Sequence, residues 1–173
     1  MSTGRPPTDQ ATLDERTRAL KERIYASFTG LAVVTVLATN NEGTSPSNAF
    51  FTLAASILGI SVAGFVAEVL SHQISHEGLP SARETRTMLR IAAGALGSAS
   101  IPLIVLALSW AGWIELELAL QIGVGIYLAV LATITLVASR RTRLPFRQQL
   151  LSLLFLVGLG VVVVGILAVA HGH

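Results

Sequence analysis

Three residues able to hold protons or metal ions recur at four-residue intervals in one apolar stretch: Glu68, His72 and His76. Each step of four advances about 40° around a helix, so the three share one face. Ser61, Gly64 and Ser75 fall near that face. A carboxylate and two imidazoles in this array are a ligand set for Mn²⁺, Fe²⁺ or Zn²⁺. Glu77 and Glu84 follow closely and add hard oxygen donors, so the candidate metal site comprises Glu68, His72, His76, Glu77 and Glu84. The bland alternative is a helix end that turns polar as it re-enters water, where Glu–His pairs four apart are common.

Other chemistry-bearing residues are fewer. Thr29, Thr35 and Thr39 recur along one apolar run, where a hydroxyl is expected to bond back to its own helix. Glu115, Glu117 and Gln121 open a later apolar run, and acidic groups favour a helix N-terminus. His171 and His173 end the chain and can pick up stray metal. Nothing matches a phosphate-binding loop, a nucleophile elbow, an HExxH zinc site or a dinucleotide fingerprint. The sequence therefore predicts no catalytic residues, no enzyme activity and no required cofactor; a bound divalent ion, Fe, Mn or Zn, is the one inorganic component it suggests.

The elements that must position these residues are membrane helices. Of 173 residues, 52% are hydrophobic and only 13% are charged. The mean hydropathy is +0.67. Such a balance excludes a disordered chain and is unusual for a soluble domain. The absence of Cys excludes a disulfide framework and thiolate zinc sites. A net charge of +2 is too small to point to nucleic acid. Apolar runs at about 24–39, 48–76, 88–110, 114–138 and 148–170 approach or reach the roughly 20 residues a helix needs to cross a bilayer. Without period-2 alternation they predict helices and not barrel strands.

The expected fold is thus all-α: a polytopic membrane protein with five transmembrane helices. All twelve Lys and Arg residues fall in three places. Arg5, Arg16, Arg18, Lys21 and Arg23 precede the first span. Arg83, Arg86 and Arg90 separate the second and third. Arg140, Arg141, Arg143 and Arg147 separate the fourth and fifth. The positive-inside rule then predicts a cytoplasmic N-terminus and an external C-terminus. Trp110 and Trp113 would sit at the external headgroup layer. Residues 1–11 read as a flexible tail and 12–23 as a cytoplasmic helix opening on the capping box Thr12 to Glu15, feeding the first span. Residues 24–170 form the transmembrane domain and 171–173 a short tail. Pro102 should kink the third span. Small residues repeat along helix faces (Ala55, Gly59 and Ala63; Gly94 and Ser98; Gln121, Gly125 and Ala129), which suits close helix packing or a subunit interface. A homodimer in the lipid bilayer of a bacterial plasma membrane is expected.

Thr29-Gly30-Leu31, Ala67-Glu68-Val69-Leu70-Ser71 and Phe146-Arg147-Gln148-Gln149-Leu150, within five spans of this orientation, resemble the vacuolar iron transporter (VIT-like) family. Thr29 stands where that family has Asp, and Gly64 where it has Met. Only residues 78–87 replace its long cytoplasmic insert. The resemblance implies a homodimer exchanging Fe²⁺ or Mn²⁺ for protons, with the pathway between the first two spans and Glu68 on it. The residues alone also allow a non-transporting subunit or scaffold that docks partners through its small-residue faces.

Overall fold

The computed structural model describes residues 7–40, 43–76, 78–141, 158 and 162. Among them are five helices and no strand: α1 (Pro7–Thr39), α2 (Pro46–His76), α3 (Ala82–Ser98), α4 (Ser100–Trp110) and α5 (Leu116–Arg141). The all-helical expectation holds. The predicted fifth span at 148–170 lies outside the described residues except for Gly158 and Val162, both helical. The side chain of His76, all of Glu77, and the terminal His171 and His173 also lie outside them.

Helix ends follow local chemistry. α1 starts at Pro7, ahead of the Thr12 capping box read from the sequence, because proline is pre-set for the first helical position. It then runs unbroken into the apolar stretch. α2 also starts on a proline, and Ser45 Oγ before it accepts the Asn48 amide at 3.2 Å. α3 carries a full capping box: Ser81 and Glu84 exchange side-chain-to-backbone bonds. α4 ends in a Schellman turn, with Gly112 at φ 79°. There Gly112 N–H donates to Ser109 O and Trp113 N–H to Leu108 O, each at 3.0 Å.

The predicted kink is a break. α3 and α4 meet at Ala99 with a 47° bend. Pro102 has no N–H to offer the Ser98 carbonyl and its ring crowds that turn. The hydroxyls of Ser98 and Ser100 cover the neighbouring carbonyls of Ala95 and Gly97 at 2.6 and 2.7 Å.

Two stretches, Pro46–Ser75 and Leu116–Val137, are helices long and apolar enough to cross a membrane. The bent α3–α4 pair makes a third when taken as one span. The apolar part of α1, 24–39, would rise only about 24 Å, short of the hydrocarbon thickness. Its position compensates, because α1 packs against α2, α3 and α5 at once. Ala26, Ser27, Leu31, Val34 and Thr35 are all buried. The core joins Leu31 and Val34 to Leu53, Ile57, Leu106, Leu120, Tyr127 and Leu131.

Short connections set α1 and α2, α2 and α3, and α4 and α5 antiparallel. α1 and α5 interlock reciprocally: the Tyr127 ring lies on the Gly30 backbone, and Val34 lies against Gly123. One end of the bundle carries Arg16, Arg18, Lys21, Arg23, Arg86 and Arg90. The opposite end carries Phe50, Phe51 and Trp110, whose rings pack with centroids 5.4–5.8 Å apart.

Candidate functional site

The antiparallel pairing of α1 with α2 sets the site. Arg18 meets Glu68, and one turn further Glu22 meets Gly64. Arg18 Nη1 donates to Glu68 Oε1. The Glu22 carboxylate rests directly on the Gly64 backbone, where even a Cβ would collide with it. These residues open on a cleft of about 390 Å³ between α1, α2 and α3, at the arginine-rich end. Lys21, Tyr25, Ser71 and Met88 complete its walls.

Two carboxylates therefore face one cleft with one guanidinium engaged on Glu68. Burial, and then the negative charge of Glu68, push the Glu22 carboxyl above the usual carboxylate range. Nothing charged on α3 offsets this, since α3 presents Met88, Ile91 and Ala92. A cation arriving at Glu68 must displace the Arg18 guanidinium.

The residues singled out by spacing separate in space. Glu68 faces α1. His72 turns toward the start of α3, with Nε2 3.8 Å from Glu84 Oε2. That Glu84 oxygen also accepts the Ser81 amide at 2.8 Å and the Ser81 hydroxyl at 2.7 Å. Among the described residues no three His, Asp or Glu side chains converge as a metal ligand set. His76 and Glu77 fall outside that statement. Thr35 and Thr39 bond back to the Leu31 and Thr35 carbonyls at 2.7 and 3.1 Å, as expected. Gln121 bonds to Glu117 at 3.3 Å in the first turns of α5.

Sequence reasoning missed Glu22. Its signal was available: it is the acidic residue closest before the first apolar run, one helical turn past Arg18. The partner that makes it matter, Gly64, carries no chemistry of its own and becomes visible only through helix pairing. No family model, curated protein or solved structure matches the chain.

Proposed function

We propose that the chain is a five-span membrane protein, N-terminus in the cytoplasm and C-terminus outside, that moves Fe²⁺ or Mn²⁺ in exchange for protons. The observation that carries this reading is the Glu22–Glu68 pair at the mouth of the bundle. Two carboxylates, one of them with its pKa raised by burial and by the other's charge, provide a place where a proton and a divalent cation compete. Ionisable groups at a membrane-helix interior or edge are costly to keep and mark ion pathways by default. The resemblance to the vacuolar iron transporter family at Glu68 supports the choice of cargo.

The test is Mn²⁺ uptake by proteoliposomes under an imposed pH gradient. Wild type should accumulate Mn²⁺ in proportion to the gradient. Glu22→Gln and Glu68→Gln should each lower uptake about 10- to 100-fold, the cost of losing one charged ligand. Uptake absent in wild type, or unchanged in both variants, removes the transport reading.

A second reading, a dimeric scaffold docking through its small-residue faces, draws on Gly59 and Gly125. Both are exposed, with nothing in front of them among the described residues. Close approach of another helix there is sterically free, which suits a homodimer.

A further inference from the structure

Three guanidiniums outside the carboxylate cleft gather on the other side of α1. Arg16 and Arg23 from α1 and Arg90 from α3 line one cleft of about 370 Å³, with Glu15 at its edge. Among the described residues none of the three arginines makes an ion pair or hydrogen bond. A second cleft, of about 330 Å³, shares Arg23 and Gly94 with the first. It runs on between α3 and α5 past Gly97 and Ser98 on one wall and Val130 and Ile134 on the other. The two clefts meet at Arg23 and Gly94, so a cationic head adjoins a mostly apolar tail.

Helix direction fixes how this groove sits. α3 runs away from the arginine end and α5 runs back toward it. On α3, Gly94 therefore lies about one turn deeper than Arg90 and Gly97 about one turn deeper again; on α5, Val130 lies about one turn deeper than Ile134. The glycines hollow the wall: among the described residues nothing lies in front of Gly97, and an added Cβ at Gly94 would come no nearer than 3.8 Å to Arg23.

We infer that this groove binds an anionic phospholipid, its phosphate held by Arg16, Arg23 and Arg90 and the start of one acyl chain lying along Gly94 and Gly97. A phosphate oxygen cluster suits guanidinium forks. Arginines at the headgroup layer attract anionic lipid. A soluble anion would use the arginines and leave the apolar tail idle. A partner helix would fill the tail and leave the arginines unmatched. A phospholipid satisfies both parts. The inference rests on the bundle lying in a membrane with its arginine end at the headgroups, and not on ion transport.

The experiment titrates delipidated full-length protein in detergent with phosphatidylglycerol and with phosphatidylcholine of the same chains, counting bound lipid by native mass spectrometry. Phosphatidylglycerol should bind in preference. Arg23→Gln with Arg90→Gln should weaken it about 25-fold, at about five-fold per guanidinium, and leave phosphatidylcholine unchanged. Gly97→Leu should weaken it by filling the tail. Glycerophosphoglycerol, the same headgroup without chains, should compete poorly. Equal binding of the two lipids, or an arginine double variant that binds like wild type, overturns the inference. So does a deacylated headgroup that competes as well as the lipid. Gly97→Leu that lowers the thermal midpoint while leaving lipid binding intact also overturns it, because a helix then occupies the tail. None of these outcomes touches Mn²⁺ uptake.

Discussion

At the scale of single residues, Glu22 is a carboxyl group whose setting differs from water. Its neighbours are Arg18, Lys21 and Tyr25 on its own helix and Glu68 and Ser71 on α2, with uncharged Met88, Ile91 and Ala92 from α3. Arg18 is engaged on Glu68. Because burial and Glu68 raise the Glu22 pKa, the folded protein holds a proton that the unfolded chain has released. This occurs between the ordinary glutamate value, about 4.3, and the raised one. In that window folding stability falls as pH rises, and above it the penalty is complete. Glu22→Gln should therefore raise the thermal midpoint in detergent at pH 7.5, with the gain shrinking to nothing as pH drops below about 4. A Glu22→Gln midpoint no higher than wild type at pH 7.5 would contradict the burial argument. The sequence made Glu68 visible through its i, i+4 spacing with His72. It did not reveal that Glu68 looks toward α1 while His72 looks toward α3. Spacing fixes which residues share a helix face to within a broad arc, and a neighbour on either flank of that arc divides it.

At the scale of helices, glycine has two opposite uses here. Gly30 is a contact: an added Cβ would fall within the Tyr127 ring. Gly59 is an opening: among the described residues nothing lies in front of it. Both read alike in the sequence, as small residues in apolar runs, because a pattern of small residues says that something approaches without saying what. Gly30→Ala should destabilise the monomer by about 1–3 kcal/mol, the usual cost of overpacking. Gly59→Leu and Gly125→Leu should leave monomer stability unchanged and shift a dimer toward monomer. Thermal melts in detergent, together with size-exclusion light scattering, separate these effects. A Gly59→Leu variant that melts early with its oligomer size intact would place that face inside the bundle. The Pro102 break, by contrast, was legible beforehand, since the missing N–H acts on its own helix and needs no partner.

At the scale of the molecule, charge and aromatic content divide along the bundle axis. α2 alone spans 31 residues, about 46 Å at 1.5 Å per residue, enough to separate the two ends by more than a hydrocarbon layer. The antiparallel threading collects Arg16, Arg18, Lys21, Arg23, Arg86 and Arg90 at one end, although they come from two sequence clusters. It brings Trp110 and Trp113 to the other, where Trp113 is 79% exposed. Basic residues resist translocation, so the proposed orientation rests on the arginine end; indoles favour the headgroup layer at either face and bear on depth rather than direction. The chain contains no cysteine, and single-cysteine variants at Arg86 and Trp113 report it without background. In intact cells an impermeant maleimide should label Trp113→Cys and spare Arg86→Cys. After permeabilisation Arg86→Cys should label as well, because it is exposed on α3. Labelling of both positions in intact cells, or of Arg86→Cys alone, would reverse or abolish this topology. The assignment of the Glu22–Glu68 cleft to the cytoplasmic face would fall with it.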